Sequence, residues 1–416
     1  MKTQKLVEHF FRHEYGRLVS TLSCRVGFAR AVDVEDAVQA ALMSALECWT
    51  VDGLPDDPPA WLFRVANNNL LGELSTESRR KRILKQHATE VAAVEESAND
   101  FHSGEAEDDL LRMLFICCDK AIPVPSQIVF ALKTLCGFDI REISVRLFTT
   151  EANVYKRLSR ARVHLRTTQP DDTNLKPEQI SERLPAVRHV LYLLFTEGFL
   201  SSDPQLPLRR ELCEEAIRLA RLLSSHPVGK SAETSALLAL MYFHMARMKG
   251  RQDESGALLL LEEQDRSLWD AREIQNGFDW LGESSSGDKF SRYHAEAGIA
   301  AEHCLTSSFQ ATRWDRIAEC YAMLEQFSES PIHKLNRAVA VAEWKGPVDG
   351  LAILEDFEPP TWLCGSYLWA TVMADLNHRA GNLQIAQRFR DVALETAPSE
   401  KVKELILRRM RTSGTR

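Results

Sequence analysis

The sequence of 416 residues predicts an all-α protein made of several domains. Apolar residues recur at spacings of three and four almost throughout, and runs that alternate strictly between apolar and polar residues are scarce. A chain of this length is expected to divide into two or three domains. With 44% hydrophobic residues and no apolar run near the roughly 20 residues that span a bilayer, it is expected to be cytoplasmic and without a membrane segment. The nine scattered cysteines are expected to be free thiols.

Changes in composition divide the chain into three helical blocks and two linkers. The first block, residues 1–85, ends in a basic cluster. Residues 86–109 contain eight acidic residues and no lysine or arginine, which predicts a charged linker. The second helical block covers residues 110–168. Residues 169–180 are rich in turn formers and predict a second linker, after which residues 181–416 form a long helical tail.

Positive charge is concentrated at residues 141–166, where seven basic residues face two acidic ones in a chain of net charge −8. Val154, Leu158 and Leu165 fall on one side of a helix, and Thr150 suits its N-cap. Two short helices joined by a tight turn predict a helix-turn-helix that enters the DNA major groove. An ordinary solvated helix face would explain any one arginine here, but it explains the concentration of charge less well. The predicted groove residues are Asn153, Tyr155, Lys156, Arg157, Arg160 and Arg162.

The same stretch, "EISVRLFTTEANVYKRLSRARVHLR", resembles the promoter-reading hairpin of bacterial extracytoplasmic-function sigma factors, which belong to the sigma-70 family. The family pattern runs roughly E-I-A, a turn, and then V-x-x-R-L-x-R-A-R. The resemblance implies that residues 110–168 form a sigma region 4-like domain that binds the promoter −35 element. The matching residues are Glu142, Ile143, Val154, Arg157, Leu158, Arg160, Ala161 and Arg162.

The first block carries a second resemblance, in "DVEDAVQAALMSALECW" at residues 33–49. This segment is similar to the helix by which these sigma factors bind core RNA polymerase, within a region 2-like domain. Taken alone, an acidic helix start is more often explained by the helix dipole and by solubility. The resemblance implies that the polymerase-binding residues are Asp33, Glu35, Asp36 and Gln39.

The segment "AWLFRVANNN" at residues 60–69 is similar to the family helix that captures the promoter −10 element. The resemblance implies that this helix binds the element as a single strand. It also implies that the loop at residues 50–57 receives an extruded base. The implied −10 residues are Trp61, Arg64, Asn67, Asn68, Arg79, Arg80 and Arg82.

The tail contains a segment, residues 368–398, that can be set against the 34-residue tetratricopeptide pattern. Gly381 falls at the turn between two helices, and Pro398 ends the unit. The small residues at the helix contact are Ala374, Ala386 and Ala393. Other tail segments resemble the C-terminal extension of one sigma-factor subgroup, which implies a tetratricopeptide-like regulatory domain at residues 181–416.

Nothing in the sequence indicates catalysis. There is no phosphate-binding loop, no zinc-protease motif and no nucleophile elbow. A charged and aromatic cluster in the tail is interpreted as buried arginine–carboxylate pairs with packed tryptophan, in preference to a ligand pocket. We therefore expect no enzymatic activity, no cofactor and no metal. The residues of this cluster are Asp265, Arg266, Trp269 and Asp270.

Together these patterns predict a sigma factor that binds core RNA polymerase and promoter DNA and is regulated by its tail. A regulatory protein or peptide is a further candidate partner of the tail. Two alternatives remain open. One is a stand-alone helix-turn-helix regulator with a helical-repeat domain that binds protein. The other is a helical scaffold or enzyme in which the N-terminal half is an interaction module.

Overall fold

The computed structural model confirms the all-α prediction. Among the described residues no β-strand forms, and an isolated antiparallel bridge joins Gln252 and Leu258. All nine cysteines are free thiols. None of the helices within the described ranges is both long and apolar enough to cross a membrane. The described residues are 2–84, 103–147, 149–168, 177–200, 208–254, 256–287, 289–327, 330–398 and 400–412.

The chain divides into two compact units, which are described one at a time. The first unit comprises residues 1–197 and 214–229, and the second comprises residues 198–213 and 230–416. The helices that lie wholly or mainly in the first unit are α1 (Lys2–Val26), α2 (Ala31–Asp52), α3 (Pro58–Leu84), α4 (Ser103–Cys117), α5 (Val124–Thr134), α6 (Ile140–Arg146), α7 (Glu151–Thr168), α8 (Pro177–Phe199) and α9 (Arg210–Ser225).

In the first unit, α1 lies at the centre of the packing. It contacts α2, α3 and α4, and its Leu18 and Leu22 are fully buried. Gly16 on α1 passes so close to the Leu135 carbonyl that a Cβ at residue 16 would lie 2.1 Å from the oxygen. Since Leu135 follows α5, this close approach joins the first helical block directly to the second.

Two predicted linkers overlap helices at their ends. Residues 103–109 of the acidic segment begin α4, and the rest of that segment lies outside the described residues. Helix α8 begins at Pro177 and runs through the predicted domain boundary at residues 180–181. Its Arg183 donates to the Phe115 carbonyl at 3.0 Å and also pairs with Asp119, so α8 packs against the second block.

The second unit is a succession of packed helix pairs. Contacts join α10 to α11, α12 to α13, α13 to α14, and α17 to α18. The helices that lie wholly in this unit are α10 (Ala232–Arg247), α11 (Ala271–Ser284), α12 (Arg292–Cys304), α13 (Trp314–Phe327), α14 (Pro331–Lys345), α15 (Pro347–Ala352), α16 (Thr361–Cys364), α17 (Tyr367–Arg379), α18 (Leu383–Thr396) and α19 (Glu400–Thr412).

The turn predicted at Gly381 is confirmed. Gly381 lies between α17 and α18 with φ +85°, a backbone conformation that favours glycine. Ala374, Ala386 and Ala393 are each at most 6% exposed, as expected for small residues at a helix contact.

The charged and aromatic cluster of the tail has a structural role, with one difference from the prediction. Arg266 pairs with backbone carbonyls instead of carboxylates: it donates to His303 and Thr306 oxygens at 2.8 Å. Trp269 is 7% exposed and lies under the Arg266 guanidinium. Asp270 accepts from the Arg272 N–H at 3.0 Å and so caps α11.

Candidate nucleic-acid interface

Helices α6 and α7 form a hairpin whose start and turn are set by side-chain caps. Asp139 Oδ1 accepts from the Glu142 N–H at 2.7 Å, and Glu142 Oε2 accepts from the Asp139 N–H at 2.8 Å. This capping box satisfies donors that the first turn of a helix leaves without partners. At the start of α7, Thr150 Oγ1 accepts from the Asn153 N–H at 3.3 Å, which confirms Thr150 as the N-cap.

One side of α7 is buried, as its spacing predicts. Val154, Leu158 and Leu165 are each at most 2% exposed, and Ile143 of α6 is 1% exposed. This buried side packs against α5 and α6. Since the stripe fixes the rotation of α7 about its axis, the residues on the other side must face solvent.

That solvent side carries the residues predicted to meet DNA. Asn153, Lys156 and Arg160 are exposed, Tyr155 is 60% exposed, and Arg157 is half-buried. Asparagine, lysine and arginine side chains can donate to base edges and to phosphate oxygens. The helix therefore presents a polar, positively charged surface on a rigid apolar support.

The −10 residues predicted on α3 are mostly accessible. Arg64 and Asn68 are exposed, whereas Asn67 is half-buried. Trp61 is half-buried and packs edge-on against Trp49, with ring centroids 5.4 Å apart. The side chains of three further predicted residues lie outside the described part of the chain: Arg79, Arg80 and Arg82.

The predicted loop at residues 50–57 includes the last three residues of α2, and it presents apolar surface to solvent. Val51 is 83% exposed and Leu54 is 71% exposed. Asp57 closes the loop, because its carboxylate accepts from the Ala60 N–H at 3.0 Å and caps α3. Exposed apolar side chains on an anchored loop can contact an unstacked base.

Helix α2 presents part of its predicted polymerase surface. Asp36 and Gln39 are exposed. Asp33 is half-buried and pairs with Arg30 at 3.1 Å, so it has a partner within the chain.

Two residues of this surface were missed by the sequence reasoning. Met43 is 59% exposed and Leu46 is 43% exposed. They follow Asp36 and Gln39 at helical spacing, so the four residues lie along one face of α2. The signal was present in the periodicity, because neither residue belongs to the buried stripe of α2.

Three protein-family models match successive parts of the chain. The profile described as Sigma-70 region 2 matches residues 11–80, and Sigma-70, region 4 matches residues 117–165. A family of unknown function (DUF6596) matches residues 183–285. The chain belongs to the extracytoplasmic-function sigma factors, with a C-terminal extension. It is thus a member of the sigma-70 family with a helical C-terminal region, and its two sigma regions imply binding of core RNA polymerase and promoter DNA in transcription initiation.

One curated relative of this sigma factor is an uncharacterised protein of Rhizobium meliloti (strain 1021). The two chains are 33% identical over 326 residues, which cover 77% of this chain and 76% of the relative. No solved structure matches the chain.

In this sigma factor an ion pair joins region 2 to region 4. Arg162 Nη2 on α7 lies 2.6 Å from Glu35 Oε2 on α2, and Thr134 Oγ1 donates to Glu35 Oε1 at 2.8 Å. The Glu35 side chain is 4% exposed and that of Arg162 is 28% exposed. Burial, followed by the charge of Glu35, raises the pKa of the neighbouring Tyr15 above its ordinary range.

This pair changes how two predicted site residues are understood. Glu35 was expected to contact polymerase and Arg162 to contact DNA, but in the structure each contacts the other. Glu35 lies beside Val34 and Val38 on the buried side of α2, so its carboxylate is turned away from solvent. We therefore assign both residues to the contact between regions 2 and 4.

Proposed function

We propose that this sigma factor directs core RNA polymerase to a subset of promoters by reading the −35 element with α7. The main support for this proposal is the exposed polar face of α7, whose orientation is fixed by the buried apolar residues on the opposite side of the helix. Asn153, Lys156 and Arg160 would contact base edges, while Arg157 and Tyr155 would lie beside the groove. Arg162 is left out because it pairs with Glu35.

The region 2 block, residues 1–85, would take the −10 element as a single strand. Trp61, Arg64 and Asn68 offer stacking and hydrogen bonding along α3. Unstacking a base costs on the order of a few kcal/mol, and stacking on the protein returns about 1–3 kcal/mol per base. Val51 at the end of α2 and Leu54 on the loop that follows would supply apolar surface for the extruded base.

Core polymerase would bind the exposed face of α2. Asp36 and Gln39 provide polar contacts there, and Met43 and Leu46 provide apolar area. A protein interface commonly combines an apolar centre with a polar rim, and this face offers both in one helix.

The net negative charge of the chain is consistent with promoter binding that depends on core polymerase. With a net charge of −8, free protein is repelled by DNA except at the basic face of α7. Once both regions are fixed on the polymerase, the first promoter contact raises the effective concentration of the second. Two weak contacts then suffice for selective binding.

The decisive test is promoter transcription with purified core polymerase and mapped transcript starts. Lys156→Ala and Arg160→Ala should each weaken promoter binding by about 1–3 kcal/mol, as expected for a lost base contact. The matched control is Arg388→Ala, an exposed arginine on α18. If all three variants support wild-type transcription, α7 does not read the promoter.

A stand-alone helix-turn-helix regulator is the competing function. A gel shift with promoter duplex separates the two, since the proposed sigma factor needs core polymerase and the alternative regulator does not. A retarded band of equal affinity with and without core polymerase would favour the regulator.

We also propose that the tail is tetratricopeptide-like and regulates promoter use through a bound protein or peptide. The turn at Gly381 and the packed helix pairs support this, because stacked pairs form extended binding surfaces. Transcription by the full chain is to be compared with a chain ending at residue 229, whose folding is checked by circular dichroism. Equal output from both removes the regulatory role.

A further inference from the structure

The second unit contains a cavity of about 430 Å³. Its walls come from α12, α13, α14, α17 and α19, together with Leu260 and Leu261 from the segment before α11. Sites for small molecules generally have volumes of roughly 300–1,000 Å³ and mostly apolar linings. The cavity is therefore large enough for a small organic molecule.

Most of the lining is apolar and comes from helices far apart in sequence. Phe309 and Trp314 pack together on one wall, with ring centroids 5.0 Å apart. Helix α19 supplies Leu405 and Ile406, so this helix forms part of the cavity wall. Such a lining favours a ligand that removes apolar surface from water.

The charged residues at the cavity already have partners of opposite charge. Arg409 Nη2 lies 3.0 Å from Asp375 Oδ2, and Glu343 Oε1 lies 2.6 Å from Arg379 Nη1. The carboxylates are nearly buried, with side-chain exposures of 4% for Asp375 and 7% for Glu343. A charged ligand would lose its hydration and compete with these pairs, so a neutral ligand is favoured.

His303 supplies the polar group that remains to be satisfied. It lines the cavity and is 8% exposed, and its Nδ1 is buried without a hydrogen-bond partner among the described residues, so a ligand would meet the ring through its remaining exposed atoms. Burial, reinforced by the charges of Arg247 and Arg266, lowers the pKa of His303 well below its ordinary value, so the ring is neutral at pH 7. A neutral imidazole offers one donor and one acceptor, and a hydroxyl can pair with either.

We propose that this cavity binds an uncharged, mainly apolar small molecule that carries one hydroxyl group, hydrogen-bonded to His303. The site goes beyond the transcriptional role proposed above. Its test uses the purified full chain without polymerase, so failure of one does not decide the other.

The first experiment measures saturable Nile red fluorescence with the full chain and its displacement by a matched set of eight-carbon compounds. Octanol, octanoate and octylammonium share one chain and differ only in the head group. We expect octanol to displace the dye at concentrations at least tenfold lower than either ion. Equal displacement by an ion would overturn the assignment of a neutral ligand.

Two variants locate the site. Thr371→Phe adds an aromatic ring to the cavity wall, and it should abolish saturable dye binding. The matched control is Thr396→Phe: both hydroxyls donate to the carbonyl four residues earlier on their helices, but Thr396 is exposed and does not line the cavity. Equal loss in both variants, or in neither, overturns the location.

The second variant does not depend on filling the cavity. His303→Phe keeps an aromatic ring but has no ring nitrogen to hydrogen-bond the ligand hydroxyl, so octanol should bind about fivefold more weakly while Nile red is unaffected. Circular dichroism and a thermal melt check that each variant folds. If octanol binds His303→Phe as tightly as the wild type, the hydroxyl contact is refuted.

Discussion

Arginine side chains lie in opposite environments in two regions of this sigma factor. On α7, Arg160 is exposed on a helix face predicted to meet DNA. In the second unit, Arg379 and Arg409 are largely buried and pair with Glu343 and Asp375. The comparison shows that the role of a cation depends on its burial and its partner. The composition of the segment that carries it does not decide the role.

Arg162 connects the two cases. It lies two residues beyond Arg160 on the same helix, yet it pairs with the buried carboxylate of Glu35. Its neighbours would assign it to the DNA surface, whereas its ion pair assigns it to the contact between regions 2 and 4. Two predictions test this division between exposed and buried charge, and two more test the contact between regions 2 and 4 and the exposed face of α2.

The largest expected effect is the loss of stability on breaking the buried charge cluster of the second unit. Asp375→Ala removes a carboxylate that lies 3.0 Å from Arg409 and 3.6 Å from Arg379. Removing one partner of a buried pair typically costs about 3–5 kcal/mol, and urea denaturation of the full chain measures it. The control is Asp391→Ala, on the exposed side of α18, which should change stability by less than about 0.5 kcal/mol. Equal effects would contradict the role given to burial.

The second prediction separates two arginines on one helix. Arg162→Ala leaves the buried Glu35 without its cation and should destabilise the first unit by about 2 kcal/mol, a value reduced because Arg162 is partly exposed. Arg160→Ala should leave stability unchanged and weaken promoter binding instead. Denaturation and promoter binding are to be measured on both variants. If Arg160→Ala destabilises the protein as much as Arg162→Ala, the distinction fails.

Much of the hairpin could be predicted from sequence because its determinants are local. The Thr150 cap acts three residues away, and the stripe that includes Val154 and Leu158 follows from helical periodicity alone. The all-α fold and the turn at Gly381 have the same origin, since spacing and a single residue type are sufficient to indicate them.

The rest depends on contacts between distant parts of the chain. Glu35 and Arg162 are 127 positions apart, and no periodic pattern indicates that they meet. The cavity is likewise lined by residues of α12 and α19, which are nearly 100 positions apart in the sequence. The place of His303 in its wall could therefore not be predicted from residue spacing. The position of His303 at a cavity wall is a property of the tertiary structure.

The third prediction tests a second contact between regions 2 and 4, that of Gly16 with Leu135, by a substitution that does not change charge. Gly16→Ala would place a Cβ 2.1 Å from the Leu135 carbonyl oxygen, so backbone must shift, at a cost of about 1–3 kcal/mol. The control is Gly72→Ala on α3, where nothing lies within 4 Å of the new Cβ. Alanine favours a helix over glycine by up to about 1 kcal/mol, so this control should stabilise the protein. Thermal denaturation should shift in opposite directions, and a shift of the same sign in both would show that regions 2 and 4 do not touch there.

The smallest expected effect tests the exposed face of α2, where binding should change and folding should not. Met43 is 59% exposed, so Met43→Ser removes little buried area and should alter stability by less than about 0.5 kcal/mol. If core polymerase covers this face, the same variant loses an apolar contact worth about 1 kcal/mol, which is roughly a fivefold weaker affinity. Leu383→Ser is the control, because Leu383 is 62% exposed at the start of α18, outside the sigma regions. The affinity of each labelled variant for core polymerase is measured by titration. Equal affinities of Met43→Ser and Leu383→Ser would exclude Met43 from the interface, and Asp36 and Gln39 would then be tested separately.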